Sequence, residues 1–544
     1  MAARDPLMDR RDFLSSVSAV ASAALLPACA PTDQLPTPPG RLLGNAHALG
    51  HRLRTGTIPA PSETRRLPVL IVGGGIGGLS AGWKLNKAGF HDFLIAELEP
   101  ELGGNSRGVQ TPAGPCPLAA HYLPLPGTQA VAVRELLAEL GVLQDDPRAQ
   151  RPHYDERYLC ATPQERMYRH GLWQDGLWPQ IGVGDRDRAQ YARFQQLMAS
   201  YRQRQAFAVP MVLSRRTPDL LALDRLSMRD WLLSQQLDSP PLHWYVDYAC
   251  RDDYGTGIAE VSAWAGIHYF ACRSGEAANA EGDTVLTAPD GNAWLARGLA
   301  NGIGDRVMTG ALVHRVADSG RHIAVDVWLP AEERSLRIEA AQLIWAAPLF
   351  LVPRIFVGYD RLKAAARQFS HAPWLVANLT VSALPTSGAG VPMAWDNVLY
   401  DSPGLGYVVS THQQMRLHQG AAVLTYYRAL SAQAPAAGRE VLLQRSREAW
   451  AEEVLADLEK AHADIRALTL QIDIALLGHA MVRPVPGFVW GGAREPFAAD
   501  SPRLRFAHAD VSGLSIFEEA QYRGVLAAER TLRRLGVRFS SSLV

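Results

Sequence analysis

Net charge is absent from this chain: 54 basic and 54 acidic side chains cancel over 544 residues, and no block of one sign is long enough to act as a tail. That excludes the basic footprint of a nucleic-acid-binding protein. Cysteine is scarce. The five, Cys29, Cys116, Cys160, Cys250 and Cys272, contain no C-x-x-C pair, so neither a zinc ribbon nor a dithiol redox centre is written here. Lysine occurs only at positions 84, 87, 363 and 460. The one small-residue apolar run near the start, Ser15 to Leu26, is too short to span a bilayer. There is no internal repeat, and no low-complexity tract beyond residues 31–65. What remains is ordinary globular composition, 47% hydrophobic, at a length too great for one core, so two or three domains are expected.

Residues 1–30 read as an address. Asp9-Arg10-Arg11-Asp12-Phe13-Leu14 precedes the Ser15–Leu26 run in the order of a secretory signal, and it resembles a bacterial twin-arginine signal. That resemblance implies a periplasmic or exported protein. Two processing readings stand. Leu26-Pro27-Ala28-Cys29 resembles a lipobox, which would anchor the chain to a membrane through a lipidated Cys29, and Ala28-Cys29-Ala30 satisfies the small-x-small pattern of ordinary cleavage. Removing 1–30 deletes three charges of each sign and leaves no polybasic patch. The twin-arginine route carries folded proteins, commonly loaded with a cofactor, so the signal itself favours one. Residues 31–65, rich in Pro, Thr and Arg, are expected to form a linker.

The strongest motif follows. Leu67 to Val72 is a short apolar run of the kind that makes a buried parallel strand, and it leads into Gly73-Gly74-Gly75-Ile76-Gly77-Gly78. A helix is predicted next, with Leu79, Trp83 and Leu85 on its face and Gly89 at its end. A second strand, Phe93 to Ala96, comes after it. Gly73, Gly75 and Gly78 fit G-x-G-x-x-G: a tight turn, a close backbone approach to a pyrophosphate, and close helix–strand packing. The helix N-terminus then faces the phosphates. Glu97, 19 residues after Gly78, is placed to accept hydrogen bonds from ribose hydroxyls.

Six residues beyond Glu97 stands Gly103-Gly104-Asn105-Ser106-Arg107. This E-x-x-x-x-x-G-G-x-S-R extension resembles that of the flavin-containing amine oxidase, protoporphyrinogen oxidase and phytoene desaturase superfamily, and implies FAD rather than a nicotinamide. Ala119 to Leu123, holding His121 and Tyr122, resembles the segment that approaches the flavin ring, with alanine where glycine is usual. Gly291 to Leu299 resembles the helix before the adenine-contacting strand, where Val313 is the matching backbone contact. Leu343 to Pro348, with Ala347, resembles the strand returning to the FAD domain. Leu504 to Asp510, followed by a helix from Ser515 through Ala528, resembles the last FAD motif, delivering an acid to the ribitol beside a helix aimed at the phosphate. The family more often has Glu where Asp510 stands. The cofactor contacts so implied are Gly73, Gly75, Ile76, Gly77, Gly78, Glu97, Leu98, Gly103, Gly104, Asn105, Ser106, Arg107, His121, Tyr122, Val313, Ala347, Asp510 and Ile516. Gly491-Gly492-Ala493 lies where covalent members of that superfamily have a cysteine, and no cysteine occurs after position 272, so the resemblance implies FAD bound without a cysteinyl link.

The fold class implied is α/β, an amine-oxidase-like Rossmann-type FAD/NAD(P)-binding domain interleaved with an α+β substrate domain. The first would be assembled from 66–150, 285–365 and 485–544, the second from 151–284 and 366–484. In the second insertion Leu375 to Val381 and Ala422 to Tyr427 read as strands, and 439–462, with Val441, Trp450, Val454 and Leu458, as one amphipathic helix.

Catalytic residues are harder to name, because a flavin accepts a hydride without an obligatory acid–base pair. Many amine oxidases hold a water near the flavin with a lysine on a strand similar to Trp374–Val381; here Asn378 stands at or next to that place. Ile516 occupies the position of a cage tyrosine. Two clusters remain. One runs from Tyr245 to Tyr254 and on to Trp264, His268, Tyr269 and Arg273; the other is His479 to Arg483, leading to Trp490. Asp252 or Asp253 could recognise a cationic substrate, and His268 or His479 could assist deprotonation of an ammonium group. The structural alternative is a packed helix face, an Arg251–Asp252 ion pair and a core histidine at 479. Cys250 and Cys272 could pair in an oxidising compartment. The expected function is an exported FAD-dependent oxidoreductase, amine-oxidase-like, acting on a small molecule such as an amine, with oxygen or a periplasmic acceptor reoxidising the flavin. A C–C desaturase and a flavin-binding redox or assembly partner are the alternatives.

Overall fold

The Leu67–Val72 run is the buried end of a longer strand, Glu63–Val72. Val69 and Ile71 pack into one apolar cluster and Leu70 and Val72 into another, so both faces of the strand are covered. That two-sided burial is why the sequence is continuously apolar rather than alternating. The strand sits inside an eight-stranded sheet. Its path runs Val307–Met308, Phe93–Ala96, Glu63–Val72, Arg334–Trp345, Ile323–Leu329, Leu312–Asp318 and Phe356–Val357, with Leu504–Phe506 beside the C-terminal end of Arg334–Trp345. Pairing is parallel among Phe93–Ala96, Glu63–Val72 and Arg334–Trp345, and antiparallel through the Leu312–Trp345 meander.

Two helices, Ile76–Lys87 and Phe517–Arg534, cover one face of this sheet. They approach so closely that a methyl group on Gly524 would lie 2.2 Å from the carbonyl oxygen of Gly77. Only glycine fits there.

A second sheet of nine strands runs Leu42–Leu43, Thr469–Val482, His371–Val381, Ala422–Ala429, Tyr407–Val409, Asp396–Leu399, Glu165–Arg169, Leu172–Asp175 and Ala389–Gly390. The His371–Val381 strand is buried throughout. Leu375, Ala377 and Leu379 pack on one side with Trp450, Val454 and Leu458, while Trp374 and Val376 face the other side with Tyr427 and Tyr248. A helical layer that includes Asp185–Gln203, Met228–Ser234, Pro240–Tyr254 and Ala263–Ala271 has its own core around Phe194, Trp231, Trp264 and Leu242.

This computed structural model describes residues 36–44, 46–414 and 420–543. Pro38–Val544 form one compact unit. The twin-arginine stretch and Cys29 lie outside the described residues. The first sheet draws its strands from 63–96, 307–357 and 504–506. The expected linker is corrected: Leu42–Leu43 pairs in parallel with Ile474–Ala475, and His47–Thr55 is helical. Its partner strand lies more than four hundred positions away, and Arg41 bonds Asp473 across that gap (2.6 Å). The single helix expected over 439–462 is two, Pro435–Gln444 and Arg447–Leu458. Arg445 is extended, and the Ser446 hydroxyl accepts from the Ala449 amide (3.2 Å), capping the second helix anew.

Candidate active site

The glycine turn meets its geometric demands residue by residue. Gly73 has φ +103°, a region side chains rarely adopt, and a methyl on Gly78 would lie 1.8 Å from the Gly73 carbonyl oxygen. Gly75 caps the Ile76–Lys87 helix with no side chain, which leaves its first amides to a ligand. A second glycine pair rests on the first: Gly103 N–H donates to Gly74 O (2.9 Å), and Gly103 and Gly104 both have positive φ. Glu97 closes the cradle. Its carboxylate accepts from the Gly74 and Glu99 amides, and burial, opposed by those two bonds, holds its pKa above the usual value. Arg107 is braced on the Glu99 carboxylate (3.1 Å) and the Gly104 carbonyl (3.0 Å), so it stiffens the loop.

The Leu312–Asp318 strand slips register between Val313 and Arg315, and the buried His314 Nε2 beside that bulge has no partner. Bulges of this kind open backbone groups to a ligand. Asp510 is fully buried. Its carboxylate accepts from the Leu349 amide (2.9 Å) and faces His371 Nε2 (3.1 Å) and His508 Nδ1 (3.2 Å). Burial alone would raise its pKa; the two imidazoles outweigh burial and hold it well below the carboxylate range. Glycine turn, ribose-type acid, bulge and second acid together fit a dinucleotide whose far half reaches the neighbouring cavity.

That cavity, of about 1080 Å³ counted to its open mouth, lies between the nine-stranded sheet, the Pro240–Tyr254 and Ala263–Ala271 helices and the start of the Phe517–Arg534 helix. Its walls are apolar and aromatic, including Trp374, Val376, Tyr427, Leu477 and Phe517, and Asn105, Ala120, His121 and Asn292 join it to the cradle. His121 stacks on Tyr427 (4.4 Å between ring centroids). Against this wall stand Asp252, Asp253, Glu518, His268 and Arg273. The Tyr122 hydroxyl donates to Asp252 (3.2 Å), and Arg273 pairs with Asp253 (3.0 Å). Burial, reinforced by Asp253 and opposed by Arg273 and Tyr122, pushes the Asp252 carboxyl up to about 7; burial also takes Glu518 to about 7. His268 is held neutral, its pKa lowered by burial to about 4, with Nε2 against the Ala208 carbonyl (3.0 Å).

The sequence candidates separate accordingly. Asp252, His268, His121, Tyr122, Asn105 and Ile516 line the cavity. Asn378 does not: its amide donates to Pro117 O (3.2 Å) and accepts from Thr425 (2.7 Å), tying the Gly114–Pro117 strand to the sheet. Nor does His479, which stacks on Phe350 (4.0 Å) and is driven to about 3 by burial and by His371. The ion pair considered for Arg251 forms with Asp247 (2.9 Å) instead of Asp252, because residues four apart share a helix face. Cys250 and Cys272 are separate buried thiols. The final helix, expected to aim at the phosphate, presents its start to the cavity through Ile516, Phe517 and Glu518, while its middle packs on the glycine-turn helix at Gly524. Glu518 was missed, although two adjacent acids in a helix's first turn were a visible signal; Tyr427 was hidden as one more residue of a buried strand.

Comparison with known proteins gives a partial sequence match and a broad structural one. A family model described as an NAD(P)-binding Rossmann-like domain matches residues 71–140. No curated protein matches. Among solved structures, a double mutant of putrescine oxidase aligns at 15% identity and TM-score 0.64, covering 86% of this chain and all of that one. Cyclohexylamine oxidase from Brevibacterium oxydans aligns at 16% and 0.61, covering 86% and 99%. A putative protoporphyrinogen oxidase from Exiguobacterium sp. aligns at 14% and 0.57, covering 88% and 100%. The chain has a mixed α/β fold with a Rossmann-like domain, and it shares that fold with these amine oxidases.

Proposed function

We propose that the protein is an FAD-dependent oxidoreductase that oxidises the C–N bond of an amine. The observation that carries this reading is the Asp252–Tyr122 pair on an aromatic cavity wall, at the end of a dinucleotide cradle. Gly73–Gly78, Glu97, Gly103–Gly104, Val313 and Asp510 would hold the cofactor, without a covalent link. When bound, FAD would supply the acceptor for a hydride. The C–H electron pair leaves with the hydrogen, the nitrogen lone pair forms the C=N bond, and water hydrolyses the imine to a carbonyl compound. Oxygen or another acceptor then takes the two electrons. The chain's own part is to bind, dry and deprotonate. Asp252, with a pKa near 7, takes the proton of an arriving ammonium group, and Trp374, Tyr427 and Phe517 exclude water. His268, neutral and committed to Ala208, positions the Ala263–Ala271 helix.

The apolar character of the walls favours one alternative, a C–C desaturase working on a larger apolar substrate. Anaerobic titration of the purified holoenzyme with amines, porphyrinogens and carotenoid precursors separates the two. Loss of the flavin's visible band on adding an amine, with hydrogen peroxide formed on admitting air, is the expected result. Loss only with porphyrinogens or carotenoids would overturn it. We further propose that residues 1–30 direct export by the twin-arginine route; fractionation of cells expressing the Arg10→Lys/Arg11→Lys variant checks this, with export expected to stop.

A further inference from the structure

The dinucleotide cradle is short of positive charge for the group it would hold. Residues 97–107 carry Glu97, Glu99 and Glu101 against Arg107 alone. Arg107 is committed to the Glu99 carboxylate and the Gly104 carbonyl, and its side chain is only 10% exposed, so little of it is left for a phosphate. The amides that open the Ile76–Lys87 helix offer partial charges. A diphosphate brings full negative charges, and a cation from another segment is needed to meet them.

The stretch 41–55 runs from one sheet to the other beside that cradle. At its start Leu42–Leu43 is the edge strand of the nine-stranded sheet, and Arg41 donates both to Asp473 and to the carbonyl of Gln110 (3.0 Å), just past the Arg107 loop. At its end Leu53 packs into the cluster that holds Leu70, Val72 and Val313, and the Arg52 guanidinium lies 5.3 Å from the centre of the Trp328 ring. Between these anchors the Ala46 amide donates to Glu99 Oε1 (2.6 Å). The other Glu99 oxygen holds Arg107, and the Glu99 amide donates to Glu97 Oε1 (2.8 Å). One residue, Glu99, thus couples the stretch to the ribose-type acid and to the second glycine pair.

The His47–Thr55 helix turns a definite face to the cradle. A methyl on Gly50 would lie 3.7 Å from Leu98 Cδ2, so Gly50 points at the residue between Glu97 and Glu99. By helical spacing His47, His51 and Arg54 fall on the same side, the two imidazoles in edge contact (5.8 Å). Ala48 and Arg52, on the opposite side, are exposed. The helix contains no acid, and Arg54 has no hydrogen bond or ion pair among the described residues. Arg439, whose stem runs along Gly478, bonds the His371 carbonyl (3.3 Å) and feels Arg54 only as a repulsion that lowers its pKa, second to burial. Basic groups gathered on one side of an acid-rich cradle, with no carboxylate to pair them, suit a polyanion.

We propose that residues 41–55 are a cofactor strap: Arg54, with the His47 and His51 imidazoles, meets the diphosphate of the bound dinucleotide, and the Ala46–Glu99 contact ties the strap to the cradle. This rests on the FAD reading of the cradle and goes beyond it, because the strap lies outside every motif that carried that reading. Its anchors on two sheets hold the helix in place, so the dinucleotide leaves only when Ala46 releases Glu99 and the charge of Arg54 is given up. The strap therefore acts on retention of the cofactor and not on the chemistry in the cavity.

Dilution of the holoenzyme at a series of salt concentrations, with released flavin read by its fluorescence, tests the strap. Arg54→Gln is expected to raise the flavin dissociation constant about tenfold, the scale of one charge-assisted hydrogen bond, and to flatten its dependence on salt. Arg54 is exposed, so the variant keeps its fold. Ala46→Pro deletes the amide proton at a residue whose φ of −67° already suits proline, and should raise the dissociation constant while leaving the salt dependence as it was. Arg52→Gln removes the same charge from the outward side and should change flavin binding less than twofold. An Arg54→Gln holoenzyme that keeps its flavin as tightly as the unmodified protein, or a loss matched by Arg52→Gln, overturns the strap and leaves the cofactor reading standing. Unchanged release from Ala46→Pro overturns the coupling through Glu99. If the purified protein carries no flavin, calorimetry with ADP, which has the same diphosphate, takes over: binding that weakens about tenfold in Arg54→Gln removes the flavin reading and keeps the strap, and no binding removes both.

Discussion

Replacing Asp252 by asparagine tests the electrostatic centre of the cavity. Burial and Asp253 raise the Asp252 carboxyl from 3.8 to about 7 in the folded protein, against Arg273 and the Tyr122 hydroxyl. In the unfolded chain the group ionises at its ordinary value. Between those two values the folded protein holds a proton that the unfolded chain has released, so the contribution to stability falls as pH rises through that window. A shift of about 3 units corresponds to about 4 kcal/mol, and titration shared with Asp253 and Glu518 brings the expectation to about 2–4 kcal/mol. Asparagine keeps the shape and removes the proton. The Asp252→Asn holoenzyme should match the unmodified protein below about pH 4 and exceed its stability by about 2–4 kcal/mol above about pH 8. Urea unfolding followed by tryptophan fluorescence at matched pH steps measures the difference. Identical pH slopes for the two proteins would refute the burial argument, as would a variant less stable at the high-pH end. With an amine substrate, kcat/KM of the unmodified enzyme should rise through about pH 7 as Asp252 becomes a base, and the variant should lack that limb.

Gly78→Ala drives a methyl into the Gly73 carbonyl, so the variant should purify without flavin, as judged by its visible spectrum. Glu97→Gln weakens the acceptor expected to meet the ribose; the flavin dissociation constant, followed by fluorescence on dilution, should rise about tenfold or more. Asn378→Ala removes one hydrogen-bond partner from each of the Pro117 carbonyl and the Thr425 hydroxyl, the latter keeping Ser410, and should cost about 1–3 kcal/mol in urea unfolding while changing kcat little. His479→Gln, outside the cavity wall, should leave kcat within about twofold, and a loss of about a hundredfold would return that histidine to the chemistry.

How much the sequence revealed depended on the range of the constraint. The glycine turn was legible because backbone sterics dictate the residue type locally: Gly73, Gly78 and Gly524 occupy places where a methyl would strike backbone. Phe93–Ala96 was legible from an apolar run after a turn residue, and Leu504–Phe506 from the resemblance of Leu504 to Asp510 to a known motif. The cavity was only half legible. Asp252 and His268 stood out because acids and aromatics crowd two consecutive helices, whereas Val376 and Tyr427 are joined only by sheet register, from strands about fifty positions apart in sequence. Asn378 misled because sharing a strand face is not enough: it lies on the Trp374 and Val376 side, but further along the strand, where it spends its amide on Pro117 and Thr425 outside the cavity. The linker misled because a two-residue strand has no periodicity, and its existence is decided by an edge strand hundreds of positions later.

The formal neutrality of the chain conceals a separation of charge. Arginines at the surface are matched in pairs such as Arg186–Asp238 and Arg466–Glu452, and these cancel in any count. The cavity wall holds three acids, Asp252, Asp253 and Glu518, against one arginine, which is itself paired with Asp253. None of the four lysines lines it: Lys84 is buried against Glu529 (3.3 Å), Lys87 lies between Glu135 and Glu139, Lys460 is on Asp457, and Lys363 sits on a helix beside the first sheet. With His268 and His121 held neutral by burial, Arg273 is the one cation on the wall among the described residues, and Arg251 adds a weaker opposing field at Asp252 from behind it. A low-dielectric pocket in that state stabilises whatever positive charge enters it. An ammonium group entering therefore raises the ionised fraction of Asp252 by its own field, and that same ionisation makes Asp252 able to take the ammonium proton. On the proposed amine reading, the acid that attracts the substrate as a cation is thus the base that would leave it neutral, with its lone pair free for C=N formation.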